Sequence, residues 1–165
     1  MLAYAALTSL AEPLGLRAQP AKSAVYSANA AAAASVATRL SVHLAPDGLL
    51  AAGTPVGTPA FQAANAVACA SHAFSLMDEM QALPLADQDR WLLLHGSLQV
   101  RVAHLPRGCD WQHVGPAVWW AEDMAADGVF AILEVPHVDG HLTERINLPL
   151  HHGGLGLSHT TTAHA

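Results

Sequence analysis

The chain has 165 residues, enough for one domain with a sizeable core or for a piece of a larger protein. Hydrophobic residues make up 52% and charged residues 12%, against roughly 25% charged in an average globular protein. The formal net charge is −6, which argues against a free-standing nucleic-acid binder, since such proteins are basic.

Two cysteines, Cys69 and Cys109, give no disulfide framework and read as buried free thiols. No window approaches about 18 uninterrupted apolar residues, so no membrane-spanning helix is expected. The N-terminus lacks a basic stretch, and Glu12 and Pro13 interrupt its apolar run, so no signal peptide is expected. The scarcity of charge has two readings. Part of the surface faces a partner, or the alanine content reflects the base composition of the genome. Eleven histidines would carry the net charge towards zero near pH 6.

In chain order, residues 2–14 read as a short helix with Gly15 as its C-cap, followed by a turn over 16–22 around Pro20. Ser23–Ser27 is a short strand. Asn29 caps an alanine-rich helix over about 30–42, closed by Pro46, Asp47 and Gly48. Gly53-Thr54-Pro55-Val56-Gly57 is a tight turn with at most a residue or two extended. Thr58-Pro59 then reads as N-cap and N1 of a helix to about Leu83, with Phe61, Val67, Phe74, Met77 and Met80 as its apolar positions. Asp87 is placed to cap a helix over about 88–104, carrying Trp91, Leu94, Leu98, Val102 and Leu105 at mixed i+3 and i+4 spacing. Pro106-Arg107-Gly108 breaks it. Asp110 caps a further helix to about Ala126, carrying Trp111, Val114, Val118 and Trp119, with a kink or split expected at Gly115-Pro116. Residues 128–135 fit helix or strand, 136–140 a loop, 141–147 a turn of helix, and 158–165 a frayed tail.

Few residues offer chemistry. His137 and His141 have i, i+4 spacing, but Pro136 and Gly140 disfavour the helix that would align them. With His151 and His152 they read as surface histidines. Asp78-Glu79, Asp87 with Asp89, and Glu122-Asp123 are paired carboxylates on helices, read as capping or solvated groups and not as a two-metal site. Ser97 beside His95 has no third group to complete a triad. The tail, Leu148-Pro149-Leu150-His151-His152-Gly153-Gly154-Leu155-Gly156-Leu157, has a structural account. Leu148 and Leu150 pack on a core, Gly153 and Gly154 turn with positive φ, and Leu155 and Leu157 re-enter the core.

Four blocks, in this order, resemble reverse transcriptases of non-LTR (LINE-type) retrotransposons. Gly15-Leu16-Arg17-Ala18-Gln19-Pro20-Ala21-Lys22-Ser23 resembles the palm segment that follows the catalytic aspartates. Ala52-Gly53-Thr54-Pro55-Val56-Gly57 is similar to the next block, a Gly-rich hairpin near the primer terminus. The run from Gln88-Asp89 through Leu92-Leu93-Leu94 to Ala103-His104-Leu105-Pro106-Arg107 looks like the helical region after the palm. The tail resembles the family's Leu-Pro then Gly-Gly-Leu-Gly-Leu segment.

The resemblance implies a mostly α fold with a small β element. Residues 1–57 would be the end of a palm, with short strands and a hairpin. Residues 58–157 would form a helical thumb-like region, and 158–165 a disordered tail. It implies an auxiliary catalytic role for Lys22, near the incoming nucleotide's phosphates. It also implies nucleic-acid contacts at Lys22, Gly53, Gly57, Arg101 and Arg107. The implied partners are an RNA template, a DNA primer and an upstream polymerase portion, with no membrane. The location would be nuclear or cytoplasmic. The family's catalytic block is an Ala-Asp-Asp run plus a separate aspartate. This chain contains no Asp-Asp pair, so the Mg²⁺ of the full-length enzyme has no site here, no cofactor is expected, and the chain alone is expected to be inert. The alternative is a helical interaction module, or a decayed remnant, with no nucleic-acid role.

Overall fold

The computed structural model describes residues 6, 9–15, 19–135, 140–152 and 154–157. Six of the thirteen residues of the expected 2–14 helix, residues 136–139 of the expected 136–140 loop and the tail over 158–165 lie outside them, and Gly140 is already helical. The fold is mostly helical with few short strands, as expected. The chain divides into two compact units, Met1–Leu49 and Leu50–Ala165.

In the first unit, Ser9–Ala11 is helical and tightens into a 3₁₀ turn, Glu12–Leu14, capped by Gly15 at φ 74°. A second 3₁₀ turn, Pro20–Lys22, leads into strand β1, Ala24–Val25, shorter than the expected Ser23–Ser27. Helix α1, Ala30–Leu40, begins where Asn29 Oδ1 accepts from the Ala32 N–H at 3.1 Å. It ends at Ser41, which adopts a left-handed conformation at φ 52°, well before Pro46. The crossover returns the chain to β2, His43–Leu44, which pairs parallel with β1, Ala24 opposite His43. Among the described residues of this unit the buried ones are Ala33, Ala37 and Ala45, all small, so they bury little apolar area.

Strands β3, Gly48–Ala51, and β4, Thr54–Gly57, form a hairpin, with four extended residues on each side where one or two were expected. Helix α2, Pro59–Ala82, starts as expected. Thr58 accepts from the Phe61 N–H at 3.3 Å, and Pro59 needs no hydrogen-bond acceptor in the first turn. Its buried face is Ala66, Ala70, Ala73, Met77 and Met80. Of the apolar positions named from the sequence, Met77 and Met80 belong to this face, whereas Phe61 and Phe74 are only half-buried and Val67 is 50% exposed.

The reason is helix α6, Trp111–Ile132. Ala66 and Ala70 cluster with Val114, Ala117 and Val118, while Ala73, Met77 and Met80 cluster with Ala125, Val129 and Ile132. The two helices therefore run in the same direction, and alanines let them approach closely. Gly128 serves the same end. A Cβ there would lie 2.6 Å from Leu94 Cδ1 and 2.9 Å from Met77 Sδ. Asp110 caps α6 by accepting from the Gln112 N–H at 3.0 Å. Of the kink or split expected at Gly115-Pro116, the split does not occur, and the helix runs on to Ile132, beyond Ala126. Trp119 is 44% exposed and not a core residue.

Between α2 and α6 the single helix expected over 88–104 is three pieces. Helix α3, Asp87–Leu93, gives way to a π-helical turn, Leu94–Leu98, then to α4, Gln99–Ala103. Gly96, the weakest helix former of that run, sits at the centre of the wide turn. Ala86, not Asp87, is the N-cap. Asp87 opens the first turn instead and lies 3.7 Å from Arg90. Pro106 does not break the chain either. It falls in the first turn of α5, Leu105–Gly108, where its missing N–H costs nothing. Leu94, Val102 and Leu105 are buried as expected. No helix among the described residues is long and apolar enough to cross a membrane.

Helix α7, Gly140–Asn147, precedes the tail. Leu155 and Leu157 pack on the core with Leu94, Val129 and Ile146, as expected. Leu148 and Leu150 do not, being 41% and 57% exposed. The positive φ falls at Gly156, at 69°, and not at Gly154, while Gly153 lies outside the described residues. Leu150–His152 forms a 3₁₀ turn that sends the tail back over α7. The Leu155 N–H donates to Arg145 O at 3.1 Å, and the Leu157 N–H donates to Ile146 O at 3.1 Å. Two of the last carbonyls of α7, those of Arg145 and Ile146, are thereby satisfied by the tail itself.

Candidate nucleic-acid interface

The β3–β4 hairpin turns through Ala52 and Gly53, with φ of 50° and 86°. Two positive φ values in succession define a type I′ turn, whose twist suits paired strands. Gly53 tolerates this geometry freely, and nothing lies within 4 Å of where its Cβ would be. Ala52 does not. Replacing Ala52 with Asn, which favours this conformation, should raise stability by about 0.5 kcal/mol, read as a higher midpoint in urea. An unchanged or lower midpoint would count against the turn assignment.

Three contacts clamp this hairpin to the α4–α5 segment. His104 Nε2 lies 3.2 Å from Gly53 O, a bond the ring makes as donor. The Cys109 thiol donates to Pro55 O at 3.5 Å. Gly108 meets the Thr54 side chain where a Cβ would collide with Cγ2. Pro55 is fully buried by this packing. Burial pushes the Cys109 thiol above its ordinary value, and both cysteines are half-buried and free.

The candidate contact residues Gly53, Gly57, Arg101 and Arg107 all belong to this second unit. Arg101 is exposed on α4, and its Nη1 donates to His72 Nδ1 at 2.9 Å. Arg107 is exposed on α5. Gly57 is half-buried at the end of β4, and its carbonyl accepts from Gln62 Nε2 at 3.2 Å. Lys22 belongs to the first unit. It is exposed at the end of the Pro20–Lys22 turn, and its N–H donates to Gln19 O at 3.0 Å.

His104 and His72 were not among the expected contact residues. The spacing of Arg101, His104 and Arg107, three residues apart each time, was the available signal, since it places all three along one side of a helical stretch.

Acid–base and metal chemistry find little support. Among the described residues, no three or more of His, Cys, Asp and Glu gather into a cluster able to hold a metal ion. His137 lies outside those residues. The His151 and His152 rings stand 4.2 Å apart on the exposed tail turn. Asp78, Glu79, Asp87, Asp89 and Asp123 are exposed, whereas Glu122 is half-buried. An apolar cavity of about 220 Å³ lies among Trp91, Val129, Ile132, Leu133 and Leu155, with Asp87 and Gln88 at its edge. It offers no pair of groups for proton transfer.

Charge sets the limit on the interface. From Leu50 onward the chain carries four arginines against eleven carboxylates. Of those arginines, Arg90 is engaged by Asp87 and by Leu83 O. Comparison with protein-family models, with curated proteins and with solved structures finds no match to this chain.

Proposed function

We propose that the chain is a C-terminal remnant of a LINE-type reverse transcriptase, the part that contacts template and primer, and that it is inert alone. The four blocks in family order motivate the reading. Its support in the fold is the contact of His104 with Gly53, which joins two of those blocks: the hairpin and the arginine-bearing α4–α5 segment. Arg101 and Arg107 on that segment are the groups for phosphate contact, and the Gly53 tip lacks a side chain that would hold a nucleic-acid strand away. In the intact family enzyme Lys22 would act beside the Mg²⁺-bound phosphates. This chain has no Asp-Asp pair to hold such ions.

The test is binding of an RNA–DNA hybrid across a salt series. Expected is weak binding at low salt whose log–log slope falls by roughly one unit for each arginine removed in Arg101→Ala and Arg107→Ala. Nucleotide incorporation with Mg²⁺ or Mn²⁺ should be nil, and incorporation abolished by Lys22→Ala would refute inertness. A second reading, a helical interaction module, is favoured by the excess of carboxylates over arginines in the second unit. Absence of hybrid binding at low salt would select it.

A further inference from the structure

Ala60, Ala64, Val67, Ser71 and Phe74 on α2 are spaced by four, three, four and three residues. That is the alternation of a coiled-coil seam, two turns of helix per repeat, and the buried face Ala66, Ala70, Ala73, Met77 and Met80, covered by α6, has the same spacing. Ser71 fits its place. It is small, and a serine hydroxyl within a helix can bond the carbonyl one turn back instead of demanding an outside partner. The seam is not the buried face of α2. Ala60, Ala64, Val67 and Ser71 are exposed, and Phe74 is half-buried against Trp120 of α6, their rings 6.1 Å apart. Trp120 itself is 41% exposed and extends the apolar surface beside the seam.

The chemistry of the face narrows its occupant. No Asp, Glu, Lys or Arg occurs from Gly48 to Met77 or from Trp111 to Ala121. The seam therefore offers nothing to a phosphate backbone or to a charged protein surface. It also lacks the basic flank of a helix that lies on an anionic membrane. What it matches is another uncharged helical seam with small residues, and a second copy of this chain supplies one. A twofold contact sets a patch against itself, so an uncharged patch lets two acidic units meet without repulsion.

The direction of pairing follows from the charges at the seam's ends. With Val67 at the twofold axis of an antiparallel pair, Ala60 faces Phe74 of the second copy, and Ala64 faces its Ser71. Asp78 and Glu79 then fall beside the second copy's α2 N-terminus, whose first turn carries no acidic residue. Carboxylates at the positive end of a helix dipole are stabilising. A parallel pair would instead set Asp78 against Asp78. We propose that the chain self-associates through an antiparallel pairing of α2 helices along Ala60, Ala64, Val67, Ser71 and Phe74.

Light scattering of the full chain over a range of concentrations tests this. The mass should rise from 17.2 kDa towards twice that value. Val67→Glu, at an exposed position, should hold the chain at 17.2 kDa with an unchanged far-UV circular dichroism spectrum. Gln112→Glu, on an exposed position of α6, should still dimerise. In a background of Cys69→Ser and Cys109→Ser, Val67→Cys should oxidise to a disulfide-linked dimer and Ala60→Cys should not. A chain that stays at 17.2 kDa throughout, or a dimer indifferent to Val67→Glu, overturns the proposal. Equal cross-linking of Ala60→Cys overturns the antiparallel register. Should Val67→Glu fail to fold, the two cysteine variants decide alone.

Discussion

Gly154→Ala should cost more stability than Gly156→Ala, although only Gly156 has a positive φ. Gly154 is buried, and a Cβ there would overlap the Leu148 carbonyl oxygen and carbonyl carbon. Backbone cannot rotate aside as a side chain can, so the tail itself must move. That movement would pull Leu155 and Leu157 off the core and break the bonds from their N–H groups to Arg145 O and Ile146 O. One fully buried leucine contributes about 1.5–3 kcal/mol, so a loss of about 3 kcal/mol or more is expected. At Gly156 the strain of a left-handed alanine costs roughly 1–2 kcal/mol. The close neighbour there, Leu150 Cγ at 3.2 Å, is an exposed side chain that can yield. Urea denaturation of both variants checks the order. Equal midpoints would show that the tail is not held by the approach of Gly154 to Leu148.

The second large effect centres on Leu94, fully buried in the π-helical turn. Leu94→Ala should destabilise by about 2–5 kcal/mol, the range for emptying a core site. Gly128→Ala should cost about 1–3 kcal/mol by overpacking, because its Cβ would lie 2.6 Å from Leu94 Cδ1. The two changes oppose each other in space, since truncating Leu94 removes the nearer of the two atoms that the added methyl group would strike, leaving Met77 Sδ. The double variant should therefore be more stable than the sum of the single losses, by about 1 kcal/mol. Strict additivity in a double-mutant cycle would mean that α6 and the π turn do not approach each other as closely as Gly128 allows.

Local signals carried much of the fold. Asn29, Thr58-Pro59 and Asp110 marked helix starts because a cap is a contact between near neighbours in sequence. The face of α2 was not legible in this way. Large residues ordinarily mark a core, yet here Ala66, Ala70 and Ala73 were chosen by a partner helix almost fifty residues away, where close approach matters more than side-chain size. Pro106 read as a break because its residue type is ambiguous between ending a helix and opening one. The packing of Leu155 and Leu157 on the core was legible from the pattern, but the exposure of Leu148 and Leu150 depended on where α7 stopped. At the candidate interface the hairpin glycines announced a turn. His104 did not announce its role, because it binds a backbone carbonyl 51 residues away.

The parallel run of α2 and α6 has a consequence for the growing chain. Antiparallel neighbours can zip from a short loop, but parallel ones must wait for a full return path, here α3, the π turn, α4 and α5. On a ribosome adding about 5–20 residues per second, α2 would emerge several seconds before Val129 and Ile132 exist to cover Met77 and Met80. Until Leu94, Val102 and Leu105 emerge, both its long packing faces are open. One closes when α6 arrives, and the other, along Val67, stays open in the finished chain.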